Sequence, residues 1–249
     1  MKRTVLITGA TAGIGKACAE IFAAHGDRLI LTGRRAERLE SLAESLDTDV
    51  QTYAFDVREL SQVQAFVGQL EDEWKAVDIL INNAGLAVNT TKIQEGLYED
   101  WDRMLDTNVK GLLYITREVS PLMIARGKGG HIINIASIAG KQVYPGGNVY
   151  CASKHAVDAL SQAMRIDMLE HQIKVTNIAP GMVDTEFSVV RYKGDQDAAD
   201  NVYKGLDPLT AEDVADVVFY SAGLPPHVTI NDLVLMPTAQ ASAFHVHRG

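Results

Sequence analysis

Short apolar runs alternate along this chain with longer segments whose apolar residues recur every three or four positions. That alternation constrains the fold more than any other feature. The runs are Thr4 to Thr8, Arg28 to Thr32, Val50 to Phe55, Ile79 to Asn82, His131 to Ala136, Lys174 to Ile178 and Asp232 to Met236. Most are apolar at successive positions, so both faces of each strand need a cover, as in a parallel sheet between two layers of helices. The intervening segments read as helices. Ser61 with Gln64 spells a capping box ahead of Val63, Phe66, Val67, Leu70 and Trp74, and Thr210 with Asp213 resembles another ahead of Val214, Val217 and Val218. The expectation is one α/β domain over 1–249, doubly wound, with a seven-stranded parallel sheet and helices on both faces. One stretch breaks the regularity: 181–207, between Pro180 and Pro208, is long, polar and glycine-containing, and is expected to be a substrate loop.

Composition removes other classes. With 23 Lys and Arg against 32 Asp and Glu the net charge is −9, and no basic stripe offsets it, so nucleic acid is not an expected partner. No apolar stretch approaches the roughly 18 residues of a membrane span, so no membrane partner is expected either. The chain starts like a signal peptide at Met1 to Ile7, but Gly9, Thr11, Gly13, Gly15 and Lys16 end the apolar run early, and the segment is read as the first strand. Cys18 and Cys151 lack CxxC or His-partner spacing and cannot make a disulfide framework, which fits a reducing cytoplasm. His245 and His247 have no carboxylate or thiolate company, and no metal is assigned.

The first strand runs into Thr8-Gly9-Ala10-Thr11-Ala12-Gly13-Ile14-Gly15, a GxxxGxG turn before a helical pattern. Glycines there allow a tight turn and a close backbone approach, aiming helix N-terminal amides at a pyrophosphate. At the end of the second strand a carboxylate would accept from the ribose 2′-hydroxyl of NAD. Here Leu31-Thr32-Gly33-Arg34-Arg35 supplies none, and offers two guanidiniums suited to a 2′-phosphate. Cations at a helix N-terminus oppose the dipole, so their placement needs a reason beyond solvation. NADP(H) is the expected cofactor.

Tyr150 and Lys154 lie four apart in a helical period that continues through Val157, Leu160, Met164 and Met168, so they share a face. An ammonium beside a phenol lowers the phenol's pKa from its usual value of about 10, toward the range useful for proton transfer. Ser137 follows the strand of His131 to Ala136 and so stands at a carboxyl strand end, where open α/β sheets bind ligands. Asn108 sits inside the helical stretch 101–115, where one role for its side chain is to satisfy a backbone carbonyl. Cys151 points about 100° around the helix from Tyr150 and reads as a packing residue.

Taken together, TGATAGIG at 8–15, Asp56-Val57, Asn82-Asn83-Ala84-Gly85, Asn108, Ser137, Tyr150-x-x-x-Lys154 and Pro180-Gly181 resemble the short-chain dehydrogenase/reductase family, a Rossmann fold, over essentially the whole chain. Phe55 to Arg58, Tyr144 to Tyr150, Thr185 to Ser188, Val190 to Asp195 and Met236 to Thr238 resemble a narrower branch, the NADP-dependent 3-hydroxy acid dehydrogenases and related sulfoacetaldehyde reductases. The resemblance implies that Tyr150 is the general acid/base and that Ser137 holds the substrate oxygen. It implies that Lys154 depresses the Tyr150 pKa and binds the nicotinamide ribose, while Asn108 positions a water. It further implies that Thr8, Gly9, Thr11, Gly13, Ile14 and Gly15 form the phosphate turn, and that Asp56 and Val57 meet the adenine. Asn82, Ala84 and Gly85 would back the cofactor, with Pro180, Gly181, Val183 and Thr185 at its nicotinamide end. Many NADP-dependent members have a basic residue where this chain has Ala12, which leaves recognition of the phosphate to Arg34 and Arg35.

The same resemblance sets the loop after Pro180 over the active site, making Arg191 the candidate anchor for a substrate carboxylate or sulfonate, with Tyr144 and Lys141 as weaker candidates. It also implies a homo-oligomer, a tetramer, with Pro237 to Ala243 at subunit contacts. The expected activity is hydride transfer between NADP(H) and a short 3-hydroxy acid or its semialdehyde. Alternatives are a sulfoacetaldehyde reductase forming isethionate, a broad carbonyl or 3-oxoacyl reductase and, outside enzymes, an NADP-sensing regulator, although such regulators tend to lose the Tyr or Lys present here.

Overall fold

Seven parallel strands form one sheet in the computed structural model, which describes residues 2–249. They are β1 (Thr4–Thr8), β2 (Arg28–Gly33), β3 (Val50–Ala54), β4 (Ile79–Asn82), β5 (Gly130–Ile135), β6 (Ile173–Pro180) and β7 (Asp232–Leu235), in spatial order β3-β2-β1-β4-β5-β6-β7. The main helices are α1 (Gly13–Ala24), α2 (Ala36–Ser45), α3 (Leu60–Gln69), α4 (Tyr98–Leu105), α5 (Leu112–Arg126), α6 (Asn148–Asp167), α7 (Phe187–Arg191), α8 (Gln196–Tyr203) and α9 (Ala211–Ala222). All seven expected strands are present. Half of their ends fall where expected and most of the others differ by one residue, but β6 runs on by two to Pro180, paired with Leu235 of β7.

Strand residues alternate between the two helical layers, which explains the unbroken apolar runs. Val5, Ile7, Leu29, Leu31, Ile79, Ile81, Ile133 and Ile135 pack with α1, α2 and α9. Leu6, Ile30, Leu80 and Ile132, from the same strands, pack with α3, α5 and α6. The order of strands reverses between β1 and β4, and the crevice outside their carboxyl ends is where such sheets bind ligands. A row of polar residues in register, Asn82, Asn134 and Asn177, crosses β4, β5 and β6. It fixes α6 to the sheet: Asn134 Nδ2 donates to Ser161 Oγ at 2.9 Å and Asn177 Nδ2 to Asp158 Oδ1 at 3.0 Å.

Two local expectations are corrected. Ser61 does not cap α3; the helix starts two residues earlier, with Glu59 at the cap, and Gln62 Oε1 accepts from Asp56 N at 3.0 Å ahead of it. Trp74 lies beyond the end of that helix, under the Arg28 guanidinium at 4.6 Å. The Thr210–Asp213 capping box is formed at the start of α9. The stretch 181–207 is not a plain loop: it contains α7 and α8, the latter capped by Asp195 Oδ1, which accepts from Ala198 N at 3.0 Å. No described helix is long and apolar enough to cross a membrane.

His131 on β5 supplies a pH-dependent contribution to stability. Its Nε2 lies 2.7 Å from Thr176 Oγ1, which itself donates to the Ile230 carbonyl at 2.7 Å, so Nε2 carries the proton and Nδ1 is buried without a partner. Burial, helped by Lys174 and Arg3, pushes the imidazole pKa down to about 3. The unfolded value is about 6.5, so the folded state binds fewer protons between those limits. The stabilisation is therefore complete above pH ~6.5 and is lost as pH falls toward ~3, at up to about 1.4 kcal/mol per pH unit. His131→Gln is expected to flatten this acid limb in urea unfolding between about pH 4 and 7; an unchanged slope refutes the assignment.

Candidate active site

Thr8 ties the carboxyl end of β1 to that of β4. Its hydroxyl donates to the Ile81 carbonyl at 3.3 Å and accepts from Asn83 N and Ala84 N, both at 3.0 Å. Asn83 Nδ2 then donates to the carbonyls of Thr8 and Gly9 at 2.9 and 3.1 Å, closing the glycine turn from beneath. Gly9 needs its missing side chain because its φ is +68°, a left-handed conformation. Gly15 needs it because a Cβ there would stand 2.4 Å from the Gly9 carbonyl oxygen. Gly15 thus supports the turn from behind, while Gly9, Thr11, Gly13 and Ile14 line the cleft.

That cleft, about 320 Å³, falls within the usual size of a ligand site. Its lining brings together most of the expected residues: Arg34 and Arg35 at one end, Asp56, Val57, Ala84 and Gly85 along it, and Ser137, Tyr150, Lys154, Pro180, Gly181, Val183 and Thr185 at the other. Asn82 is not among them. As the last residue of β4 it points under the sheet, where Nδ2 donates to Asn134 Oδ1 and Thr116 Oγ1 at 2.9 and 3.0 Å, and its neighbour Asn83 takes the cleft position. Lys141 is also elsewhere, its Nζ 2.6 Å from Asp158 and 2.7 Å from Asp232. Those paired carboxylates hold it, and it does not line the cleft. The sequence reading missed Leu86, Glu186, Phe187 and Val190, all in the lining; the apolar spacing of Phe187 and Val190 was the available signal.

Tyr150 and Lys154 share the buried face of α6, as their spacing required. Lys154 Nζ donates to the Ile135 carbonyl at 2.8 Å, and burial draws its pKa down to about 8. The Tyr150 phenol is pushed up, not down. Burial is the main cause and Tyr144 adds to it, while the Ser137 hydroxyl and the Arg191 guanidinium pull the other way. The expected depression by Lys154 is thus not what governs this phenol: desolvation outweighs it, and the ammonium is spent on a backbone carbonyl. Asp56 is paired with Arg58 at 2.6 Å; burial raises its pKa, but the hydrogen bonds and charge of Arg58 outweigh that and hold it below the usual range.

Asn108 lies in a wide, π-helical segment, Asp106–Gly111, between α4 and α5. Its Oδ1 accepts from Leu86 N and its Nδ2 donates to the Leu86 carbonyl, both at 2.8 Å, with a further bond to Ser153 Oγ at 3.0 Å. The backbone-satisfying role is therefore real. A Cβ on Gly85 would stand 3.3 Å from Asn108 Oδ1 and 3.4 Å from Lys154 Nζ, so both groups press on the same glycine.

Arg191, at the end of α7, is set over the Tyr144 and Tyr150 rings, 5.6 Å from each centroid, and its Nη2 donates to the Tyr144 hydroxyl at 2.7 Å. Its Nε is buried without a partner, and no carboxylate pairs with it among the described residues. Neither Arg191 nor Tyr144 lines the open cleft; Phe187 and Val190 of the same helix do. Among the described residues no group of three His, Cys, Asp or Glu side chains is arranged to hold a metal ion.

The chain is similar to known proteins along its whole length. Sulfoacetaldehyde reductase 2 of Chromohalobacter salexigens is 48% identical over 251 residues, covering 100% of both chains. The NADP-dependent 3-hydroxy acid dehydrogenase YdfG of Salmonella typhi is 45% identical over 98% of this chain and 99% of its own. A closed form of serine dehydrogenase complexed with NADP+ superposes with a TM-score of 0.94 at 45% identity, covering 99% of this chain and 100% of that one. Residues 3–196 match the family described as short chain dehydrogenase, and with relatives this similar along its whole length the chain belongs to that family.

Proposed function

We propose that this chain is an NADP(H)-dependent oxidoreductase acting on a short 3-hydroxy acid, serine or 3-hydroxypropionate in type, or in reverse on the semialdehyde. One observation carries the reading: a single cleft presents buried Ser137, Tyr150 and Lys154 at one end and two guanidiniums, Arg34 and Arg35, at the other. The donor set fits the cofactor, since guanidiniums pair with a 2′-phosphate and the glycine turn leaves room against its backbone for a pyrophosphate. When bound, NADP(H) supplies or accepts the hydride.

The chain's own residues manage position and protons. Ser137 Oγ accepts from Ala139 N at 3.1 Å and stands within hydrogen-bond reach of the Tyr150 phenol, so its hydrogen can turn to a substrate oxygen placed between the two. Tyr150 gives that oxygen its proton in reduction and takes it in oxidation. Lys154, with a pKa of about 8, gains or loses its own proton near neutral pH, one helical turn from the phenol. Phe187, Val190 and Leu86 exclude water from this end.

Arg191 is the group proposed to hold the substrate's anionic end, supported by its half-buried side chain with an unpartnered Nε and no carboxylate beside it, and by its place beside Tyr150. The same guanidinium suits a sulfonate, which favours sulfoacetaldehyde as the second reading given the 48% identical reductase. A 3-oxoacyl thioester is disfavoured because the cleft has no basic groove; its only lining cations are Arg34, Arg35 and Lys154. A reducing cytoplasm suits the two free cysteines, Cys18 and Cys151, and exposed apolar Ile166, Leu169 and Val234 suit a homo-oligomer.

An activity panel over serine, 3-hydroxypropionate and sulfoacetaldehyde with NADP(H), and with NAD(H) for comparison, tests the assignment. No turnover of any of the three sinks it. Arg191→Ala is expected to raise KM for these anions by at least about thirtyfold, while a neutral aldehyde keeps its kcat/KM. An unchanged KM for all three anions refutes the anchor.

A further inference from the structure

Helix α7, which carries Phe187, Val190 and Arg191, is tethered on both sides by ion pairs. Beyond its C-terminus Lys193 Nζ lies 2.9 Å from Asp100 Oδ1, while Asp100 Oδ2 accepts from Asn89 Nδ2 at 2.7 Å. Asn89 N also donates to the Arg191 carbonyl at 2.8 Å. Asp100 is buried, so this tether is shielded from water on its carboxylate side although Lys193 is half exposed. Just before its N-terminus, Glu186 accepts from Arg35 Nη1 at 3.0 Å and from Arg38 Nη1 at 2.7 and 2.9 Å. These three side chains are nearly half exposed, which makes this the weaker tether.

The weaker tether also draws on a cation needed elsewhere. Arg35 is one of the two guanidiniums at the end of β2, and its Nε and Nη2 already donate to Thr11 Oγ1 at 3.2 and 2.7 Å. With Nη1 on Glu186, each of its three nitrogens already makes one bond, leaving one N–H on Nη1 and one on Nη2. A phosphate monoester arriving there competes with the Glu186 carboxylate for the same guanidinium, and carries the greater charge with which to displace it.

We propose that Glu186 couples the cofactor's 2′-phosphate to the substrate helix: carboxylate and phosphate are alternative partners of Arg35 and Arg38, so a 2′-phosphorylated nucleotide releases the N-terminal end of α7 while Asp100 keeps the other end in place. Glu186 is on this view a positioning residue, acting on Arg191 and Phe187 through their helix. The proposal rests on the reading that Arg34 and Arg35 receive the cofactor phosphate.

The test measures dissociation constants for NADPH and NADH by nicotinamide fluorescence, and amide hydrogen exchange of 187–191 with and without 2′-AMP, on the full chain. Glu186→Gln is expected to bind NADPH and 2′-AMP about three- to tenfold more tightly, with NADH affinity unchanged. In the wild type 2′-AMP should speed exchange at 187–191, whereas in Glu186→Gln exchange is already fast and 2′-AMP leaves it alone. Weaker NADPH binding by the variant overturns the proposal, since the carboxylate would then be holding the arginines in place for the phosphate. Equal shifts for NADPH and NADH, or exchange indifferent to 2′-AMP in the wild type, overturn it as well. The double variant Arg34→Ser/Arg35→Ser separates the two levels. An NADPH to NADH preference unmoved there removes the phosphate reading itself; a preference lost there but at wild-type value in Glu186→Gln removes only the coupling.

Discussion

Tyr150→Phe is expected to lower kcat by about a thousandfold while leaving NADPH affinity within about threefold of wild type. The phenol is the one hydroxyl of that buried set that stands on α6, one turn from Lys154 and beside Ser137 in the cleft, and a phenyl ring can neither give nor take the substrate oxygen's proton. The ring keeps its packing, with Phe187 at 5.8 Å between centroids and the Arg191 guanidinium at 5.6 Å, so stability should change by no more than about 1 kcal/mol. Three measurements separate the outcomes: turnover from NADPH absorbance, NADPH binding from fluorescence, and Tm. A kcat within tenfold of wild type removes Tyr150 from the chemistry. A large fall in Tm shows that the loss is one of fold.

Gly15→Ala is expected to cut kcat/KM by about a hundredfold, the scale on which displacement of a reacting group by about 1 Å acts. The added methyl would lie 2.4 Å from both the Gly9 carbonyl oxygen and Asn83 Nδ2, and the first of these is backbone, so the turn itself must move. Moving Gly9 breaks its bond from Asn83 and shifts Gly13 and Ile14, which line the cleft. Overpacking of this kind costs about 1–3 kcal/mol of stability. Gly68→Ala is the control: it sits inside α3 with nothing within 4 Å of the new Cβ, so it should gain about 0.5–1 kcal/mol and leave NADPH binding alone. Equal NADPH affinity for Gly15→Ala and wild type shows that the turn does not carry the cofactor.

Much of the fold was legible because the signal is local. Successive apolar residues in β1, β2, β4 and β5 meant two covered faces, and each strand divides its side chains between the two helical layers. The site was legible where a spacing fixes a face, as with Tyr150 and Lys154 on α6. It was illegible where one step of the strand period decides the direction. Asn82 and Asn83 are adjacent, and only the end of β4 determines that the first points beneath the sheet and the second toward the glycine turn. Nor could local reading find α7 and α8, short helices whose stability comes from tertiary contacts such as Tyr203 Oη donating to the Val183 carbonyl at 2.7 Å.

By itself, then, the sequence determined the parallel sheet, the glycine turn at its first strand end and the placing of Tyr150 and Lys154 on one face of α6. Periodicity and turn chemistry depend on residues a few positions apart. The tertiary structure alone decided which charges meet. Lys141 is claimed by Asp158 and Asp232, Arg35 by Glu186, and Lys154 by the Ile135 carbonyl, and burial raises the Tyr150 pKa against expectation. Coulomb energy and desolvation depend on distance and burial in space, and Arg35 and Glu186, 151 residues apart, have neither until the chain between them has folded.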